Sequence, residues 1–328
     1  MNSRPLRVLL ALVLTAGAAC ASDAAEDPNQ VQNSTDASGP VLIAHRGASA
    51  YAPEHSREAY ELGIEQGADF IEPDLQITQD GVLIALHDLT LERTTNVRDV
   101  FPDRFRSTEV RGEPVDVWVA NDFTLEEIRQ LDAGSWFGEA FAGTPILTLS
   151  EVIDLVRGRA GLFIETKAPE VYGDRGFDME ALLLAELAEH GLDQPGADPG
   201  TPIVIQSFSA ASLRILHDEH NTPLPLALLI GGGEAAREWL TPEGLAEVAA
   251  FATGIGPTKS LLLEIPGAID LAHERGLTVV PWTFRGDDPG DWDTVEDEMA
   301  HYLFELGVDG IITNNPDLFP TAPPSGGP

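Results

Sequence analysis

Short apolar runs alternate with helix-periodic stretches from residue 41 to residue 320 of this 328-residue chain, and nothing else in it restricts the fold as much. Val41–Ala44, Phe70–Gln76, Leu162–Thr166, Ile203–Ser207, Leu226–Ile230, Thr253–Gly256, Thr278–Trp282 and Gly310–Thr313 read as strands. Between them, Glu54–Gln66, Leu149–Arg157, Met179–His190, Ala210–Glu219, Pro242–Ala250, Leu262–Arg275 and Thr294–Leu306 carry helical periodicity. This is the pattern of a parallel sheet wrapped by helices. Eight strands with intervening helices predict an α/β fold, a TIM (β/α)8 barrel. A doubly wound open sheet is the alternative, but no glycine-rich dinucleotide fingerprint follows the first strand.

The alternation breaks once. Asp80-Gly81 with Val82–Leu86 predicts a small hairpin, and residues 89–148 then run long before the next barrel strand. This inserted subdomain follows the second barrel strand and holds Phe101, Phe105, Trp118, Phe123, Trp136, Phe137 and Phe141. Such aromatic density implies that it packs on something. It can be a subdomain with its own small core, a lid beside the barrel mouth, or both.

The ends read differently. Arg4 and Arg7 precede the apolar run Val8–Val13 and the small residues Thr15 to Cys20, the layout of a secretory signal peptide over residues 1–20. The run is too short for a membrane span. Cys20 is the only cysteine, which excludes an intrachain disulfide. Its position suggests a lipoprotein signal with Cys20 as the lipid anchor, although Gly17 stands where a Leu is expected; ordinary cleavage near Ala19 or Ala21 is the alternative. Residues 21–40 are polar and aperiodic and read as a disordered tether, and residues 321–328 as a tail of the same kind. The expected location is therefore periplasmic or cell-surface. A net charge of −35 argues against nucleic acid as a partner. An anionic substrate would need strong local positive charge, and Arg46, Lys167 and a bound metal could supply it.

Three strings close predicted strands: His45-Arg46-Gly47, Glu72-Pro73-Asp74 and Glu165-Thr166-Lys167. Parallel barrel enzymes carry their chemistry where strands end. Side chains two apart on a strand face the same way, so Glu72 and Asp74 form one acidic pair and Glu165 stands beside Lys167. These carboxylates and cations, with His45 and His87, suit a divalent metal and a phosphate ester.

The ordered set His45-Arg46-Gly47, Ala52-Pro53-Glu54, Gly67 to Asp74, Asp80-Gly81, His87-Asp88 and Leu91-Glu92-Arg93-Thr94-Thr95 resembles the glycerophosphodiester phosphodiesterase family. Glu165-Thr166-Lys167, Gln206-Ser207-Phe208, Pro281-Trp282-Thr283 and Val308 to Thr313 continue the likeness, which covers roughly 41–319. The long insertion is similar to that of the periplasmic branch. His55-Ser56 stands where the family usually has Asn-Thr, Thr166 where Ile is common, and Asn314-Asn315 where an acid often precedes the Pro.

The resemblance implies a barrel enzyme that splits glycerophosphodiesters into an alcohol and sn-glycerol 3-phosphate. It implies Glu72, Asp74 and Glu165 as metal ligands. Their oxygens favour a hard ion, one Ca²⁺ or Mg²⁺, which would offset phosphoryl charge. His45 is assigned as base and His87 as acid, because imidazole titrates near neutral pH. The resemblance also implies the neighbouring glycerol hydroxyl as first nucleophile, through a cyclic phosphate that water opens. Arg46 and Lys167 are assigned to phosphate oxygens, and Trp282 and Gln206 to the substrate pocket. His190, His217, His220, His273 and His301 are left to structure, and His55 stays open between the two. Two alternatives stand beside this reading: a phospholipase D-like or sphingomyelinase-like enzyme on the same fold, and a surface protein that binds phosphodiesters or calcium without turnover. No protein partner is implied.

Overall fold

The computed structural model describes residues 39–323. The leader, the tether as far as Ser38 and the tail from Pro324 lie outside the described residues. Among the described residues no helix is long and apolar enough to cross a membrane.

Eight parallel barrel strands form, in chain order Val41–His45, Phe70–Ile77 broken at Pro73, Gly161–Thr166, Ile203–Ser207, Leu226–Ile230, Gly254–Pro257, Thr278–Val279 and Gly310–Thr313. Each pairs with its sequence neighbour, and the eighth pairs with the first. Asp309 N to Val279 O at 2.9 Å and Ile312 N to Pro281 O at 3.1 Å close the sheet between the seventh and eighth. The interruption at Pro73 is local, since proline has no amide to donate. Phe70 is opposite Gly161 and Asp74 opposite Glu165, so the register runs straight through it.

Alternation divides the core. Ile43, Phe163, Ala227, Val280 and Ile312 form one buried cluster inside the barrel, with Val41, Phe70 and Val204 packed on it. The intervening residues, such as Leu42, Ala44, Leu162, Ile164, Ile203 and Ile205, face outward into the larger cluster shared with the helices. Gly161 makes room for Phe70: a Cβ there would lie 2.5 Å from the Phe70 ring.

Helix ends follow local chemistry. Ser56 Oγ accepts from Ala59 N and starts the first helix at Arg57, not at Glu54, which leaves Pro53-Glu54-His55 in a loop. The Thr148–Glu151 capping box starts Leu149–Val156. The single helix expected over Leu262–Arg275 is two pieces, Lys259–Glu264 and Ala268–His273. Pro266 cannot donate, and Gly267 sits at φ 85°, so the ladder cannot pass between them.

The expected hairpin forms, with Leu83–Ala85 antiparallel to Asp74–Ile77. On its far side Ile84 and Leu86 seed a separate cluster with Leu91, Val97, Trp118, Ala120, Phe123, Ile128, Leu131 and Ile146. Of the seven aromatic residues in 89–148, Trp118 and Phe123 are buried, whereas Phe105 and Trp136 are about two-fifths exposed (40% and 42%). Residues Arg106–Val110 and Glu113–Val117 add an antiparallel pair turned at Arg111-Gly112, both at positive φ.

Candidate active site

Strand parity builds the site. His45, Glu165, Trp282 and Asn314 each lie two residues beyond an interior residue, respectively Ile43, Phe163, Val280 and Ile312, so all four project into the barrel at its C-terminal end. Register then sets neighbours: His45 is opposite Glu72, Asp74 opposite Glu165, and Glu165 opposite Gln206. Glu72, Asp74 and Glu165 converge, with one ligand atom of each within 4.8 Å of the others, and all three are buried.

The loop after the first strand wraps this triad. Arg46 takes a left-handed conformation, φ 56°, and donates its backbone amide to Glu72 Oε2 at 2.9 Å. Its guanidinium lies 3.1 Å from Asp74 Oδ2 and 3.2 Å from Glu54 Oε1. Gly47 follows at φ 84°, and a Cβ there would lie 2.5 Å from the Ala59 backbone, so only glycine lets the loop rest on the first helix. Lys167 Nζ is 2.8 Å from Glu165 Oε1 and 3.8 Å from Asp74 Oδ1.

Electrostatics differ across the triad. Burial, then the charges of Asp74 and Glu165, push Glu72 well above the usual carboxylate range; burial and Asp74 do the same to Glu165. Burial works against Asp74 ionisation too, but Arg46, Lys167 and His55 outweigh it and hold Asp74 well below that range. Two buried carboxylates that resist ionisation, with Asp74 Oδ1 buried and without a hydrogen-bond partner, fit a divalent cation.

His45 Nδ1 is 2.7 Å from Asn314 Oδ1. Burial, then the Arg46 charge, lowers its pKa to about 3, so the ring is neutral near neutral pH. With Nδ1–H donated to Asn314, Nε2 keeps a lone pair. His87 is a third exposed, with Nδ1 at 2.5 Å from Asp88 Oδ1. It follows the hairpin strand, where Leu86 N donates to Asp74 O at 2.9 Å and Gln76 Nε2 to His87 O at 2.8 Å. Arg93 binds Asp88 through Nε at 2.5 Å and Glu54 through Nη2 at 2.6 Å. One ionic chain thus runs from His87 through Asp88, Arg93, Glu54 and Arg46 to Asp74.

A cavity of about 590 Å³ is lined by His45, Arg46, Glu54, Trp282 and Asn314 together with Lys259, Arg285 and Asp288. Trp282 Nε1 is fixed to Gly256 O at 2.6 Å, and its ring meets Phe208 edge-on at 5.4 Å. Gln206 does not line this cavity; it is buried and gives Nε2 to Glu72 Oε1 at 3.2 Å. Among the described residues none of 89–148 lines the cavity either. The insertion instead abuts the Glu54–Ser56 loop, where Ala133, Thr144, Pro145 and Ile146 help enclose a water-sized void of about 10 Å³. Of the remaining histidines, His273 pairs with Asp309 at 2.9 Å on the surface. Glu54, Arg93 and Asn314 belong to the site's network without having been assigned a role from the sequence, and His55, left open there, joins them.

The model of the glycerophosphoryl diester phosphodiesterase family matches residues 45–318. The chain belongs to this family. A glycerophosphodiester phosphodiesterase of Bacillus subtilis (strain 168) is 37% identical over 287 residues, covering 85% of each chain. The crystal structure of a glycerophosphodiester phosphodiesterase from Agrobacterium tumefaciens superposes with a TM-score of 0.62 at 27% identity, over 85% of this chain and 98% of that one. An Oleispira antarctica phosphodiesterase, solved in complex with the product sn-glycerol-3-phosphate, shares the fold with a TM-score of 0.64 at 23% identity, over 85% and 94%.

Proposed function

We propose that the protein hydrolyses glycerophosphodiesters to an alcohol and sn-glycerol 3-phosphate, with a divalent cation held by Glu72, Asp74 and Glu165. The observation that carries this reading is the convergence of those three buried carboxylates beside two cations and a neutral histidine, in a family member. A bound Ca²⁺ or Mg²⁺ would offset phosphoryl charge and stabilise what the transition state adds. Arg46 and Lys167 border the triad and would hold phosphate oxygens. His45, neutral with Nε2 unprotonated, takes the proton of the attacking glycerol hydroxyl. His87, oriented by Asp88, returns a proton to the departing alkoxide. Water then opens the resulting cyclic phosphate.

The cavity walls carry charged and amide groups, which suits a polar head group. Deacylated glycerophosphodiesters are therefore preferred to diacyl lipids. Exposed Phe105 and Trp136 on the insertion favour a lipid-facing enzyme as the second reading. Product analysis decides: glycerophosphocholine should give choline and sn-glycerol 3-phosphate, stop with EDTA, and outpace phosphatidylcholine and lysophosphatidylcholine. Faster turnover of either lipid promotes the second reading. Binding without any product promotes a non-catalytic role. Export and lipidation at Cys20 belong to the same proposal, tested by mass analysis of the mature N-terminus.

A further inference from the structure

His55 is the one imidazole in the site's interior that the proposed reaction leaves without a task. It is buried at 5% exposure, in a left-handed conformation with φ 61°, and its amide donates to Arg46 O at 3.1 Å. Histidine is among the residues that tolerate this region. Its Nε2 lies 3.0 Å from Asp74 Oδ2 and its Nδ1 lies 2.9 Å from the Tyr60 hydroxyl. Asp74 as a carboxylate only accepts, so Nε2 carries the proton, and in the neutral ring Nδ1 accepts from Tyr60. Tyr60 is itself fully buried on the first helix.

The consequence falls on Asp74. Among the described residues, His55 gives the only aligned hydrogen bond that the Asp74 side chain receives. Arg46 Nε is 3.1 Å from the same oxygen, but its geometry makes no hydrogen bond. Oδ2 is therefore engaged, whereas Oδ1 is buried and free of hydrogen bonds, with Lys167 Nζ no nearer than 3.8 Å. The arrangement also ties the carboxylate rotamer to a ring that is held at both nitrogens.

We propose that His55, braced by Tyr60, is a positioning residue that holds back Asp74 Oδ2 and presents Oδ1 alone to a divalent cation. The proposal rests on the metal site argued above. Outer partners of this kind typically alter metal affinity by about 10- to 100-fold when lost.

The test is calorimetric titration of chelator-treated, full-length protein with Ca²⁺ and, separately, Mg²⁺, without substrate. Gln at this position keeps a donor near the place of Nε2; Asn places its donor nearer Nδ1 and cannot reach Asp74. His55→Asn should weaken binding by about 10- to 100-fold, while His55→Gln stays within about threefold of the parent and Tyr60→Phe falls between. Melting temperatures recorded in EDTA separate folding from metal binding. Parent-like affinity in His55→Asn overturns the proposal, as does equal loss in the Asn and Gln variants, which would make His55 a packing residue only. If the unsubstituted protein binds neither ion, the metal reading itself fails instead.

Discussion

The two histidines to which the proposed proton transfers fall have unlike surroundings. His45 is part-buried, neutral and fixed by Asn314, and His87 is about a third exposed and oriented by Asp88. His45→Ala and His87→Ala should each lower kcat by roughly 100-fold or more, with circular dichroism unchanged. His273→Ala, at a surface pair with Asp309, should leave turnover as it is. Glu54 makes a second prediction. Burial opposes its ionisation, but the hydrogen bond from Arg93 and the charge of Arg46 prevail and lower its pKa from 4.5 to about 2. A depressed folded-state value means this stability is fully present above pH 4.5 and is lost as pH falls toward 2. On the order of 3 kcal/mol is at stake, from about 1.4 kcal/mol per unit. Urea titrations between pH 7 and pH 2 should show Glu54→Gln less sensitive to acid over that window than the parent. A parallel loss in both proteins would remove Glu54 from the acid response. That Glu72, Asp74 and Glu165 share one end of the barrel was legible because they end strands and parity fixes their direction, while their reading as a ligand set came from the family resemblance. Glu54 and His55 were not, because a loop residue's direction depends on φ values such as 61° at His55, which no periodicity encodes.

At the scale of elements, the barrel strands were readable from apolar runs, since each is buried on both faces. The two π-helical ends, Ile215–Glu219 and His301–Leu306, were hidden within longer helical periodicity. The insertion was read as packed, and its packing is uneven. Phe123 is fully buried in the cluster seeded by Ile84 and Leu86, and Arg104 lies 4.7 Å over its ring. Phe123→Ala should destabilise this unit by about 3–5 kcal/mol. Trp136→Ala, on the exposed side, should cost under about 0.5 kcal/mol. Hydrogen exchange would locate the first loss in 89–148, before the barrel strands. The hairpin Arg106–Val110 with Glu113–Val117 went unread because its strands are largely exposed and charge-rich, and no apolar run marks them.

A cation held by the proposed carboxylate triad would couple the stability of the whole molecule to its binding. A ligand that binds only the folded state stabilises it by RT ln(1 + [L]/Kd), about 2.7 kcal/mol at a hundredfold excess over Kd. Adding Ca²⁺ or Mg²⁺ to chelated protein should therefore raise the Tm by several degrees. Glu72→Gln and Glu165→Gln should each shrink that rise, because each removes a ligand charge while leaving the barrel register intact. A Tm indifferent to both ions would count against the carboxylate triad as a metal site.

Barrel polarity has a practical side. Val41 begins the first strand at the end of the barrel remote from His45, while the eighth strand ends at Thr313, and Asn315 and Asp317 beyond it both bond Tyr51 beside the loop of the site. A support coupled ahead of Gly39 would leave the rim with the proposed site pointing into the medium. An affinity handle joined after Phe319 would start on the rim that carries the proposed site.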